Sequence, residues 1–381
     1  MNALGLLFFL GFLVSVDLRI IGPVMPSIAG SLHATPGAIG LAMTAYAFAY
    51  GAGQFVYGPL SDRHGRVAVV RLAALGFGAC TALSALCATT GQFVAARLLA
   101  GVFAGSVIPL TLVHIGDTVD YARRHAMVAR FSVVSSAGLA VSAAIGGTVA
   151  YFVSWRAMLI GYALLALVPA ALLWRVDPGP PPSAGTEEPA ASYADFLRDP
   201  FARRVYAGIF AESFLLSGAV SYLGAYAFTR YEINQLKVGL LLALFGVGTM
   251  AGGALMAPLR RRVSERGLAG WGGALMGVAL LLLLIPAGGW PLFAAAMLLL
   301  GWGFVGLHTT LQVYATEISR AARGKAFSLF PASLSAGAAA GTAAMGPLVD
   351  AGATRVMLLI CGAGLIAVGL ATARIRRRRS A

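Results

Sequence analysis

Charged residues are scarce in this chain of 381 residues: they make up 11% of it, against 59% hydrophobic residues. A soluble domain carries roughly 25% charged residues. A chain of this length with so little charge cannot enclose its apolar surface in one aqueous core, so the lipid bilayer must act as its solvent. The composition therefore predicts an integral membrane protein.

Cysteine is rare as well, and its three copies lie inside apolar segments without metal-ligand spacing. We therefore expect no disulfide framework, no metal and no cofactor. The Gly-Lys-Ser/Thr ending of an ATP site is missing, which indicates that energy comes from gradients or from the substrate itself. The net charge is +14, but the basic residues lie between apolar runs and not on one soluble face, so we expect no nucleic-acid partner.

Twelve apolar runs are long enough to cross a bilayer, which takes roughly 20 residues. They cover residues 4–28, 36–57, 68–88, 92–115, 127–152, 156–174, 205–228, 237–258, 268–287, 291–313, 326–349 and 354–373. The connections on one side carry 22 Lys and Arg residues and those on the other side carry 4. The positive-inside rule then predicts a multi-pass protein of the cell (inner) membrane with both termini in the cytoplasm.

The twelve runs form two related halves. The segment 117–126 returns as 317–326 at an offset of 200 residues, and Gly101 returns as Gly301 at the same offset. A proline-rich stretch separates six runs from six, as a linker does. We predict an N-terminal six-helix bundle (1–174), a cytoplasmic linker with a short surface helix (175–204) and a C-terminal bundle with a basic tail (205–381).

Ionisable residues inside the membrane cost at least about 2.5–3.5 kcal/mol each, so each is a functional hypothesis. At roughly 1.5 Å per residue, Asp17 lies roughly 20 Å from one surface of a core about 30 Å thick, and Arg97 roughly 8 Å from the other. We predict an Asp17–Arg97 pair that opens when Asp17 takes a proton, with a static ion pair as the alternative. Arg19 faces elsewhere, where it competes for Asp17 or meets substrate.

Glu212 lies about seven residues into span 7, with no basic residue within a helical turn. A buried carboxyl without a partner tends to hold its proton, which suits a proton carrier or a cation-binding group. A wetted residue at the mouth of a cavity is the alternative. His308, taken alone, is more often a hydrogen-bonded structural histidine than a proton relay.

Polar and aromatic residues recur at helical spacing on three spans, a pattern that a lipid-facing surface does not carry. We predict that they line a substrate cavity, while hydrogen bonding between helices explains each of them singly about as well. They are Tyr46, Tyr50 and Gln54 in span 2, Tyr222 and Tyr226 in span 7, and Phe304, His308 and Gln312 in span 10.

Nine residues, Gly58 to Arg66, form a charged turn between an apolar run ending near Tyr57 and one beginning at Val67. Their sequence, Gly-Pro-Leu-Ser-Asp-Arg-His-Gly-Arg, resembles the loop between helices 2 and 3 of major facilitator superfamily transporters, Gly-x-Leu-Ala/Ser-Asp-Arg/Lys-x-Gly-Arg. The resemblance implies an all-α membrane protein of twelve transmembrane helices in two pseudo-symmetric six-helix bundles. It also implies a transporter and not an enzyme.

The resemblance further implies a latch that holds the two halves in the outward-facing state. Asp62 is its central residue, because it begins span 3, where a helix N-terminus favours negative charge, with Arg123 or Arg124 as partners. The residues assigned to this latch are Gly58, Asp62, Arg63, Gly65, Arg66, Asp117, Arg123, Arg124, Glu317 and Arg323.

Arg97-x-x-x-Gly101 resembles the span-4 motif of the superfamily, which is often linked to proton transfer. Two segments resemble motifs of its antiporters: Val16-Asp17 with Pro26-Ser27-Ile28 in span 1 resembles a signature of multidrug–proton antiporters, and Gly138-x-x-x-Ser142-Ala143-x-x-Gly146-Gly147 resembles the span-5 antiporter motif. Two departures stand out: Arg19 replaces a usual Thr, and Ser142-Ala143 replaces a usual Gly-Pro.

These observations together predict a monomeric secondary transporter. The leading function is proton-coupled efflux of small amphipathic or drug-like compounds. Three alternatives stay open: symport or uniport of an organic anion, which Arg19 and Arg97 favour; movement of amphipathic lipids; and a membrane sensor that transports nothing.

Overall fold

The described part of the chain folds into two compact helical units. The computed structural model describes residues 3–176, 193–260, 263–286, 288–318 and 323–375, and within these ranges it contains helices and no strand. Unit 1 comprises the described chain up to residue 176 together with Asn234–Gly239. Unit 2 comprises residues 193–233 and the described chain from Leu240 onward.

The first half of the chain contains eight α-helices that make six spanning segments. They are α1 (Ala3–Ile20), α2 (Met25–Ser31), α3 (Pro36–His64), α4 (Arg66–Leu86), α5 (Thr90–Ala104), α6 (Val107–Thr118), α7 (Tyr121–Phe152) and α8 (Trp155–Leu172). Helices α1 and α2 share one segment, Ala3–Ser31, and α5 and α6 share another, Thr90–Thr118.

The described part of the second half contains one short helix and six long ones. They are α9 (Tyr193–Arg198), α10 (Pro200–Tyr231), α11 (Gln235–Arg260), α12 (Glu265–Leu282), α13 (Gly289–Thr316), α14 (Arg323–Asp350) and α15 (Thr354–Ala373). The short α9 lies within the stretch where a surface helix was predicted.

Twelve helical segments thus coincide with the twelve predicted apolar runs. Nine of those described are long and apolar enough to cross a membrane by length and composition alone. The other three, α3, α12 and α14, carry more glycine, serine, tyrosine or charge, which lowers their mean hydropathy. The prediction of an all-α membrane protein with twelve transmembrane helices in two six-helix bundles is confirmed.

The helix pairings inside one unit recur inside the other. In unit 1 the close pairs are α1 with α7, α3 with α5 and α4 with α8; in unit 2 they are α10 with α14, α11 with α13 and α12 with α15. The repeated glycines mark equivalent contacts. Gly101 packs against the backbone carbonyl of Tyr46, and Gly301 packs against that of Phe245, so that a Cβ at either glycine would collide with backbone.

Two predicted spans are interrupted, contrary to expectation. The first span breaks after Ile20 into a 3-10 turn at Gly22–Val24, where Pro23 has no N–H to continue the helix. The fourth span breaks between Ala104 and Val107. Pro109 explains that break, because it cannot donate a hydrogen bond to the carbonyl four residues earlier.

The charged turn at Gly58–Arg66 is helical for most of its length, so the predicted helix end near Tyr57 is wrong. Helix α3 continues to His64, and Gly65 alone separates it from α4. The amide of Gly65 donates to the carbonyl of Ser61 at 2.9 Å, which closes α3. With φ at 85°, Gly65 occupies a backbone region that favours glycine.

This geometry also corrects the expected position of Asp62. It lies in the last turn of α3, and not at the N-terminus of the following helix. The negative end of a helix dipole disfavours a carboxylate, so Asp62 needs a nearby cation. Arg66, the first residue of α4, supplies it through a direct ion pair.

Candidate functional site

The predicted pair of Asp17 and Arg97 is present in unit 1. Asp17 lies in the last turn of α1, and Arg97 lies in the middle of α5. The two Nη atoms of Arg97 donate to the two carboxylate oxygens of Asp17, at 2.5 and 3.3 Å. Both residues are only 2% exposed, so the two charges neutralise each other away from water. We call them the arginine pair.

Neighbouring helices fix the end of α1 that carries Asp17. The hydroxyl of Ser142 in α7 donates to the carbonyl of Val16 at 2.5 Å. The hydroxyl of Tyr162 in α8 donates to the carbonyl of Leu13, one turn earlier. Ser142 therefore has a bonding role at the position where the resembling motif has Gly-Pro.

An aromatic ring packs against the arginine pair from α3. The guanidinium of Arg97 lies over the ring of Tyr46, 4.5 Å from its centroid, which is cation–π geometry. The hydroxyl of Tyr46 is buried and has no hydrogen-bond partner among the described residues. Tyr50 stacks beside Tyr46, with ring centroids 6.3 Å apart.

Unit 2 contains a second buried carboxylate with a partner on another helix. Glu212 of α10 is 0% exposed, and its Oε2 lies 3.1 Å from Nδ1 of His308 in α13. Its other oxygen, Oε1, is buried and has no hydrogen-bond partner within the described ranges. The prediction that Glu212 is a carboxyl without a partner is therefore wrong. We call Glu212 and His308 the histidine pair.

The histidine pair lies in aromatic surroundings. The ring of His308 stacks on Phe304 with centroids 4.4 Å apart, and meets Phe330 of α14 edge-on at 5.4 Å. Phe245 of α11 contacts Phe304 at 5.7 Å. The side chain of His308 is 16% exposed, so these rings do not enclose it completely. We call Phe245, Phe304 and Phe330 the aromatic cluster.

The histidine pair was detectable from the sequence by the same depth calculation that found the arginine pair. Glu212 lies about seven residues into span 7, and His308 about five residues before the end of span 10. At roughly 1.5 Å per residue, both lie about 8–10 Å from the same surface. Glu212 and His308 are 96 residues apart in the chain, so their sequence positions do not indicate a contact, whereas their equal depth in the membrane does.

The remaining residues predicted to line a cavity differ in their surroundings. Tyr222 is fully buried and donates to the carbonyl of Thr342 at 2.8 Å, while Tyr226 donates to that of Leu283 at 2.8 Å. Gln54 is half-buried, and Gln312 is exposed. Both tyrosine hydroxyls therefore bond helices within their own unit.

Three of the residues predicted to form a latch meet at one end of unit 1. Arg66 forms ion pairs with Asp62 and with Asp117 of α6, the latter at 3.2 Å, and it donates to the hydroxyl of Ser61 at 2.6 Å. We call these four residues the Arg66 cluster. The expected partners Arg123 or Arg124 are replaced by Arg66, because Asp62 and Arg66 face each other across the Gly65 turn.

The other residues assigned to the latch lie elsewhere in the fold. Gly58 is half-buried within α3, and Arg63, Arg123 and Glu317 are exposed. Arg124 donates to the carbonyl of Val119 at 3.4 Å. Arg19, which was predicted to compete for Asp17 or to meet substrate and not to form the latch, is half-buried near the end of α1. Arg323 begins α14, and its side chain lies outside the described part of the chain.

Two six-helix units with paired charges buried inside them define a polytopic membrane protein of the transporter class. The family model of the Major Facilitator Superfamily matches residues 7–262 and 231–381. This chain belongs to that superfamily.

Individual relatives agree with this assignment. The chain is 26% identical over 274 residues to the uncharacterized MFS-type transporter YceJ of Bacillus subtilis (strain 168), covering 70% of this chain and 67% of that protein. It is 30% identical to the Puromycin resistance protein pur8 of Streptomyces alboniger, covering 43% of this chain and 33% of that one. The crystal structure of a D-xylose-proton symporter shares the fold with a TM-score of 0.77, at 16% identity and with 98% and 97% of the chains covered.

Proposed function

We propose that this transporter exports small amphipathic or drug-like compounds in exchange for protons, by alternating access. The observation that carries the proposal is the arginine pair, a carboxylate and a guanidinium buried together in unit 1. Because arginine stays charged, only Asp17 can exchange a proton within this pair. The similarity to a puromycin resistance protein supports export as the direction of transport.

In the proposed cycle, Asp17 is the group that takes up the proton. Protonation removes its negative charge and leaves the guanidinium of Arg97 buried beside a neutral acid, which is costly. The ring of Tyr46 beneath Arg97 lessens that cost through its cation–π contact. Protonation shifts the balance toward the conformation that binds the proton more tightly, and we propose that this is the conformation in which Arg97 no longer depends on Asp17 for its counter-charge.

We further propose an orientation for the cycle. The excess of Lys and Arg on one side supports cytoplasmic termini, with the linker 175–204 on the same side. The Arg66 cluster would then lie at the cytoplasmic surface, where it supports a latch between alternate states.

The test is proton movement in proteoliposomes that contain the purified protein. On addition of puromycin, the parent protein should move protons opposite to the drug, and Asp17→Asn should abolish this coupled flux while remaining folded. Asp195→Asn, which removes an exposed acid on α9, is the matched control and should behave like the parent protein.

Two results would contradict the proposal. The first is full coupling in the Asp17→Asn variant, because the proton would then travel elsewhere. The second is drug uptake in the same direction as protons, which would indicate symport.

A further inference from the structure

The carboxylate of Glu212 uses only half of its bonding capacity. Oε2 contacts Nδ1 of His308, while Oε1 has no partner within the described ranges and is closed off from solvent. A buried polar atom without a partner costs free energy, so any donor that supplies the missing bond stabilises the site. Oε1 is therefore an acceptor that a ligand with a hydrogen-bond donor can use.

The surroundings of Glu212 select the charge of that donor. The side chain that bonds Glu212 is His308, and the ring of His308 in turn stacks on Phe304 and meets Phe330 edge-on. Aromatic faces attract cations, and a carboxylate in apolar surroundings needs one positive charge nearby. A neutral imidazole can donate from Nδ1, and such a bond adds no positive charge beside the carboxylate.

The same geometry distinguishes between kinds of organic cation. Oε1 accepts a hydrogen bond, so an ammonium group with at least one N–H satisfies it. A quaternary ammonium has no N–H and leaves Oε1 without a partner, although its charge is the same. A site built to form a hydrogen bond rejects analogues that cannot form it.

We propose that unit 2 carries a subsite for organic amines with an N–H on a protonated nitrogen and an apolar or aromatic body. Glu212 binds the ammonium, and Phe304 and Phe330 pack against the carbon atoms next to it. The inference rests on the proposed function, for which it names the substrate class.

The test compares four ligands that share one body, at one fixed neutral pH, with the full-length protein in detergent. They are 4-phenylbutylamine, its N,N,N-trimethyl analogue, 4-phenylbutanol and 4-phenylbutyrate. Calorimetry or thermal shift should show that the amine binds about tenfold or more tightly than the quaternary analogue, because one charge-assisted hydrogen bond separates them. The alcohol and the acid should bind more weakly still.

Glu212→Gln should reduce the tenfold preference to about twofold or less, while Glu232→Gln, an exposed acid of the same unit, should leave it unchanged. If Glu212→Gln does not fold, Phe304→Leu provides the second variant. It should weaken binding of the amine about two- to fivefold through loss of the cation–π face.

Equal binding of the amine and its quaternary analogue to the parent protein would overturn the inference, and so would preferential binding of the acid. Unchanged amine binding in every variant would do the same. Proton flux in the proteoliposomes with puromycin is measured separately. Flux without amine binding would reject the subsite alone, and amine binding without flux would reject the proposed antiport alone.

Discussion

The two units share their helix pairing but differ in how they neutralise a buried carboxylate. In unit 1, Asp17 has both oxygens bonded by a guanidinium that cannot lose its charge. In unit 2, Glu212 has one oxygen bonded by the imidazole of His308, and its other oxygen has no partner within the described ranges. The first pair is closed in the sense that both carboxylate oxygens are bonded, and the second is open in the sense that one acceptor oxygen has no partner within the described ranges.

This difference suggests that the two units, which share their helix pairing, have different roles in transport. A saturated ion pair resists change until its acid is protonated, which is the property of a switch. In the proposed subsite, the half-saturated carboxylate of Glu212 accepts a ligand without first losing a partner. The predictions below test that contrast, from the largest expected effect to the smallest.

Replacing Arg97 should have the largest effect on stability. Arg97→Leu leaves Asp17 buried without its cation, and breaking a buried pair in this way costs about 3–5 kcal/mol of the free energy of unfolding. Thermal melting or denaturant titration of the purified protein measures the loss. Arg63→Leu removes an exposed arginine and should melt like the parent protein. A variant at Arg97 that melts normally would show that the pair adds nothing to the fold.

The equivalent glycines should respond alike in both units. Gly101→Ala and Gly301→Ala each place a methyl group against a backbone carbonyl on the neighbouring helix, which should cost about 1–3 kcal/mol. Gly91→Ala and Gly253→Ala are the controls, since a Cβ there meets open space. A large loss at one glycine and none at the other would argue against equivalent packing.

Replacing His308 should cost less than replacing Arg97. His308→Phe removes the hydrogen-bond partner of Glu212 Oε2 and leaves that buried oxygen unsatisfied, which should cost about 1–3 kcal/mol. The same melting experiment measures it. A loss as large as that of Arg97→Leu would remove the contrast between the closed pair and the open one.

The smallest effect on stability is expected at the Arg66 cluster. Asp62 is 60% exposed in its side chain, so Asp62→Asn should change the free energy of unfolding by less than about 1 kcal/mol. Asp62→Asn should instead change the populations of the alternate conformations, which can be measured by the rate at which introduced cysteines are labelled. Its ligand preference should be the same as that of the parent protein. Asp117→Asn, which also leaves Arg66 one carboxylate, is the comparison variant. A changed ligand preference in Asp62→Asn would contradict a purely conformational role.

Much of this architecture was readable from the sequence, because membrane insertion imposes a simple rule. Twelve apolar runs predicted twelve spanning segments, and depth along the helices predicted the contact between Asp17 and Arg97. Both inferences rest on one dimension, the distance along the membrane normal.

The features that escaped prediction depend on direction around a helix or on local backbone chemistry. Hydropathy carried no signal for the break near Pro109 or for the continuation of α3 beyond Tyr57. Likewise, the spacing of Tyr222 suggested a cavity, but its hydroxyl bonds the neighbouring α14. Periodicity identifies a polar face and cannot say what that face meets.

Gly65 has a mechanical consequence that follows from its being the only residue between α3 and α4. Two long helices joined by a single residue cannot move independently along their axes, because the connection is too short to extend. The Arg66 cluster bonds the end of α3 to the start of α4 and restricts their relative motion further. A tilt of α3 should therefore be accompanied by a rotation of α4 about Gly65.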